Sequence, residues 1–105
     1  WKVSEIKNIS KEELAKYKKT PFLKIEEEKI SGNNGCNNYF SSIENILSNS
    51  IKFSHFGETK MMCSEMKISD TFNLLLSKTQ TYSVTKKNLT FFNTDGKKIL
   101  VFIKV

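Results

Sequence analysis

The chain has no arginine, one proline, one histidine and four glycines in 105 residues. All seventeen of its cations are lysines, so it lacks the planar fork that clamps phosphate and reads guanine edges two bonds at a time. The formal net charge of +6 invites a polyanion. However, the lysines are scattered from Lys2 to Lys104, and the only adjacent pairs are Lys18/Lys19, Lys86/Lys87 and Lys97/Lys98. That distribution reads as a solvated lysine-rich surface, and no nucleic-acid partner is expected. No apolar run approaches the roughly 18 residues a membrane-spanning helix needs. Eight Phe, three Tyr and one Trp with 27% charged residues and little proline exclude a disordered chain. The length fits a single domain over 1–105, able to bury roughly two thirds of the surface its unfolded chain exposes.

The apolar pattern is mostly that of strands. "WKVSEI" reads as a first strand. "ISKEELAKYKKTP" then carries a helix start, with Ser10 as cap, Glu13 three residues on and Ile9 and Leu14 at the staple positions, predicting a short helix over about 11–18 that Pro21 ends. "FLKI", a turn at "EEEK" and "ISG" predict a hairpin. "NNYFSSI" and "ILSNSIKF" predict two more strands turning at Glu44 and Asn45. In "SEMKISDTFNLLLSKT" the residues Ile68, Phe72, Leu75 and Leu76 fall at helical spacing, predicting the main helix over about 65–78 with Ser64 or Ser69 as cap. The tail reads as "TYSV", "LTFF" and "KKILVFIKV" joined by the turns "TKKN" and "NTDG", with Asp95 and Gly96 suited to positive backbone angles. These elements sum to an antiparallel α+β domain.

Two dense segments hold the candidate chemistry. In "ISGNNGCNNYF" the spacing Gly32-Asn-Asn-Gly35 resembles a nucleic-acid clamp but lacks the flanking helices and basic residues, and no Gly-Lys-Ser/Thr follows to make a phosphate loop. The glycines are expected to supply positive backbone angles or close strand approach at a hairpin, and the asparagines to tolerate the same angles. In "HFGETKMMCSEM", His55, Met61 and Cys63 are possible soft-metal ligands for copper or zinc, although no CxxC or HxxxH spacing is present. Cys63 with His55 also lacks an orienting third group for nucleophilic catalysis. Glu26, Glu27 and Glu28 read as a solvated run. Cys36 and Cys63 are either a disulfide closing a loop of about 28 residues, for which chain entropy predicts about 3.5 kcal/mol, or two buried thiols.

Taken together, "SGNNGCNNYF" and the "TKMMC" about twenty residues later resemble the two signatures of the META domain, the HslJ-like family, whose pattern is G-x-x-G-C-N-x-[YF] followed by T-[RK]-M-x-C. The matching positions are Gly32, Gly35, Cys36, Asn37, Thr59, Met61 and Cys63. Trp1, the "PFLKI" strand, the helix after Cys63 and the closing hairpin fall in the family's order, so the resemblance covers nearly the whole chain. One departure is Ser41 and Ser42, where the family commonly has glycine.

The resemblance implies a partly barrel-like antiparallel sheet with a helix packed on it, and an exported, often lipid-anchored envelope domain associated with heat shock. An exported location favours a Cys36–Cys63 bridge. The expected function is non-enzymatic: a monomer in the periplasm or on the outer membrane, tethered only through a segment ahead of Trp1, without a cofactor, binding an envelope protein or small ligand. The alternatives are a soft-metal carrier and a small exported protein inhibitor.

Overall fold

The computed structural model describes residues 1–105. Its strands are β1 (Lys2–Ile6), β2 (Phe22–Glu26), β3 (Lys29–Asn33), β4 (Asn38–Ile46), β5 (Ile51–Phe53), β6 (Gly57–Glu58), β7 (Thr81–Val84), β8 (Asn88–Phe92) and β9 (Lys98–Ile103). Two helices interrupt them, α1 (Lys11–Lys16) and α2 (Lys67–Ser77). All pairings are antiparallel, in the order β5-β4-β3-β2-β1-β9-β8-β7, with the short β6 added to β4. The sheet curls until its two edges meet. There the Ser50–Thr81 bridge, a 3.1 Å bond from Ile51 N to Gln80 O and a 2.9 Å bond from Tyr82 N to Asn49 O nearly close a barrel. The expected α+β fold with a partly barrel-like antiparallel sheet is what the chain adopts.

The core follows from the alternation within strands and from one helical stripe. Ile68, Phe72, Leu75 and Leu76 of α2 are all buried, so the helix lays its single apolar face against the sheet. Six aromatic rings form a closed circuit through this core: Tyr39, Phe72, Phe102, Phe91, Phe53 and Phe56, each with its neighbours at centroid separations between 5.4 and 6.3 Å. Tilted and edge-on contacts of this kind add to the area that the rings bury. The circuit ties α2 to β4, β8 and β9.

Local details correct four sequence expectations. The helix predicted over 11–18 stops at Lys16, because Tyr17 turns to an extended backbone (ψ 128°) that sends its hydroxyl to the Gly35 carbonyl at 2.8 Å. Ser10 does cap it, accepting from the Glu13 amide at 3.1 Å, while the Glu13 carboxylate takes Lys67 Nζ at 2.8 Å. The main helix is not capped by Ser64 or Ser69. Met66 stands at its N-cap with no side-chain bond, and Ser69 is buried with its hydroxyl on the Met66 carbonyl. Glu44 and Asn45 are not a turn but lie inside β4, where a bulge between Ile43 and Asn45 absorbs the irregularity and the chain turns only after Ile46. In the last hairpin only Gly96 has a positive φ, 76°, because Asn93 Oδ1 accepts from the amides of Asp95 and Lys97 and shapes the rest of the turn. No helix is long and apolar enough to cross a membrane.

Candidate functional site

The two signature segments meet as one polar knot. Asn37 is buried, and its side-chain amide addresses Met61 in both directions: Oδ1 accepts from Met61 N at 2.6 Å, and Nδ2 donates to Met61 O at 3.1 Å. The same Oδ1 accepts from the Thr59 hydroxyl at 2.8 Å, and Thr59 Oγ1 in turn accepts from Asn38 N at 3.1 Å. Asn34, also buried, turns its own loop: Oδ1 accepts from the amides of Cys36 and Asn37 at 2.9 and 2.7 Å. Its Nδ2 donates to Glu58 Oε2 and to Asn73 Oδ1, both at 2.9 Å, which anchors the loop to β6 and α2. No buried side-chain nitrogen or oxygen is left without a partner. None of the four asparagines at 33, 34, 37 and 38 has a positive φ, so they serve by bonding backbone groups with their side chains rather than by tolerating unusual angles.

The glycines do behave as expected, each for its own reason. Gly35 has φ +104° and lies against the Tyr17 ring. Gly32 has an ordinary φ but no room: a Cβ there would fall on the Phe22 carbonyl oxygen and 2.8 Å from Tyr39 Oη. Tyr39 donates its hydroxyl to that same carbonyl at 2.8 Å, and burial pushes its phenol well above the usual tyrosine range. Ser41, at the departure from the family pattern, is buried and bonds the Ser54 carbonyl at 2.9 Å, while the Ser42 amide bonds Ser54 Oγ at 3.0 Å.

Cys36 and Cys63 are disulfide-bonded, with Cα atoms 6.0 Å apart. Cys63 therefore offers no thiolate to a soft metal or to catalysis in this state. Met61 lends the knot its backbone and is, as a residue, 56% exposed. His55 lies exposed between β5 and β6, and no three His, Cys, Asp or Glu side chains converge on a common point. In this structure the signature residues bond one another and tie the two segments together.

A concavity with a mostly apolar lining lies elsewhere, where the β2–β3 turn, the distal half of β4 and the end of β7 come together at the barrel mouth. It is an open cavity of about 470 Å³. Ile51, Leu89 and Phe91 are its buried apolar floor, and Trp1, Ile43 and Tyr82 are its half-buried walls. Ile46 and Val84 stand at the edge, 52% and 55% exposed. The charged residues lining it are Glu27, Glu28 and Glu44, the last of which also borders a neighbouring concavity with Lys52 and His55. Glu27 sits in the tight β2–β3 turn with φ 58°. Trp1 is fixed by a two-way backbone exchange with Leu23, at 2.9 and 2.7 Å. Sequence reasoning marked Trp1 but missed the rest of the cavity. Reading Glu44 and Asn45 as a turn hid the distal half of β4, and the wall residues come from strands far apart in the chain.

A family model described as the META domain matches residues 1–105. No curated protein and no solved structure matches the chain.

Proposed function

Since this chain belongs to the META domain family, we propose that it is a non-catalytic binding domain of the bacterial envelope that holds a small apolar ligand in its barrel mouth. The observation that carries this reading is the open 470 Å³ cavity with an apolar floor, which is the size and character of a small-molecule site. A pocket of this kind exposes Ile46 and Val84, apolar surface that a ligand would remove from water. The Cys36–Cys63 bond supports an oxidising compartment, such as the periplasm or the outer face of an anchored lipoprotein. A sheet whose edges meet at Ser50 and Thr81, nearly closing the barrel, supports a monomer. The physiological role we assign is tolerance of heat and envelope stress.

Binding of the neutral apolar fluorophore N-phenyl-1-naphthylamine tests the ligand site directly. The protein should enhance its emission, and Ile46→Lys, which sets a charge at the exposed edge of the cavity, should abolish the enhancement. No enhancement with the unaltered protein, or an equal one with the variant, removes the reading. A deletion strain with unchanged tolerance of heat and envelope-active compounds removes the stress role.

A protein partner is the second reading, favoured by Phe40 and Met62, which are 61% and 87% exposed. Pull-down from an envelope extract, repeated with Phe40→Ser/Met62→Ser, tests it; a partner retained equally by both proteins is not using these side chains.

A further inference from the structure

We propose that the ligand of the barrel mouth is a cationic amphiphile, its apolar body in the cavity and its cationic head among Glu27, Glu28 and Glu44. This rests on the reading of the cavity as a ligand site and adds to it the charge of the ligand. The chain carries seventeen lysines against eleven acidic residues, yet three glutamates and no lysine are among the residues that line the cavity. Lys29 and Lys52 stand next to it, opposite Ser42 and Asn45 on the neighbouring strands, so the reversal of sign is local to the lining itself.

These carboxylates are also unspent. The ion pairs of the protein are Lys24–Glu26, Lys67–Glu13 and Lys98–Glu5, and none involves Glu27, Glu28 or Glu44. Lys24 lies near the β2–β3 turn but is held 2.7 Å from Glu26. The backbone nitrogen of Trp1 is directed to the Leu23 carbonyl at 2.9 Å. The rim is therefore open to a cation from solution, while the floor of Ile51, Leu89 and Phe91 offers a head group no hydrogen bond. Trp1 and Tyr82 add aromatic rings to the lining, which favour an alkylammonium over an anion of equal size. An anionic amphiphile would meet three uncompensated negative charges at the entrance, although the net charge of +6 favours it at long range.

Trp1 is the single tryptophan and lines the cavity, so its emission reports occupancy without a label. The experiment titrates the protein with dodecyltrimethylammonium, dodecanol and dodecyl sulfate, each below its micelle concentration, with far-UV circular dichroism confirming that the fold persists. The cationic probe should bind more tightly than the neutral one, by about fivefold at low salt, and the preference should shrink as salt is raised. The exposed rim variant Glu27→Gln/Glu28→Gln/Glu44→Gln should bring the cation's affinity down to that of dodecanol and leave dodecanol unchanged. Equal affinity for all three probes, tighter binding of the sulfate, or a cation preference that survives both salt and the variant overturns the inference while the ligand site stands. A Trp1 signal unmoved by any of the three removes the ligand site as well.

Discussion

Asn37 holds the backbone of Met61 as a strand neighbour would, accepting from its amide at 2.6 Å and donating to its carbonyl at 3.1 Å. Only a carboxamide offers an acceptor and a donor in that geometry, side by side on one planar group. The relationship explains why an asparagine follows Cys36 and why a threonine stands at 59; position 61 contributes only its backbone. The hydroxyl at 59 shares the Asn37 acceptor, the backbone at 61 takes both of its ends, and the bond from Cys36, just before Asn37, to Cys63, two residues after Met61, clamps the two segments.

Replacing Asn37 by Ala should therefore be among the costly changes in the chain. It strands the Met61 amide and the Thr59 hydroxyl, and the cost should be about 2–4 kcal/mol. Thr59→Ala, which removes one bond to Asn37 and one from the Asn38 amide, should cost about 1–2 kcal/mol. Urea unfolding monitored by Trp1 fluorescence measures both, and equal losses would mean that the Met61 clasp contributes nothing beyond the Thr59 bond.

Reduction of Cys36–Cys63 should lower stability without removing the fold. The bond spans a sequence separation of 27, for which loop closure gives about 3.5 kcal/mol. The Asn37 and Asn34 contacts still join the same segments after reduction, so the far-UV spectrum should be retained while the melting midpoint falls by on the order of 10 °C or more. Thermal scans with and without reductant decide it. An unchanged midpoint would mean that the clasp alone holds the two segments.

Much of the sheet was legible because its strands alternate and its turns carry their own chemistry. The Ile68, Phe72, Leu75 and Leu76 stripe located α2 to within two residues at either end. Ser10 and Glu13 located the start of α1, but its end was not local information. Tyr17 leaves the helix to reach Gly35, eighteen residues away in sequence. The same limit hid the polar knot, since Asn34 is satisfied by Glu58 and Asn73, which no spacing rule connects to it. At Glu44 and Asn45 two exposed polar residues imitated a turn, although a bulge lets β4 run through them. That misreading concealed one wall of the barrel-mouth cavity. Family signatures gave no help there, because they mark the knot that builds the fold and not the mouth.

Gly32 and Gly96 should respond to alanine through different physics. At Gly32 the added methyl meets the Phe22 carbonyl and the Tyr39 hydroxyl, both fixed in the sheet, so strand separation is the only relief. At Gly96 nothing lies within 4 Å of the new Cβ, and only the positive φ of 76° is strained. Gly96→Ala should cost about 1 kcal/mol, and Gly32→Ala should exceed about 3 kcal/mol or prevent folding. Equilibrium unfolding of both variants, with soluble yield as a second readout for Gly32→Ala, tests the ordering.

Alkaline stability should depend on Tyr39. Burial raises its folded-state pKa above the unfolded tyrosine value of about 10, so its contribution is complete below pH 10 or so. Above that pH the unfolded chain releases the phenolic proton while the folded chain retains it, and stability falls by up to about 1.4 kcal/mol per pH unit from this group. Lysines titrate in the same range, so the comparison that isolates it is Tyr39→Phe. That variant should be less stable at neutral pH, by about 1–2 kcal/mol for the lost bond to the Phe22 carbonyl. Its stability should also decline less steeply between pH 10 and pH 11 than that of the unaltered protein. Parallel slopes across that window would show that Tyr39 ionises in the folded state as readily as in the unfolded chain.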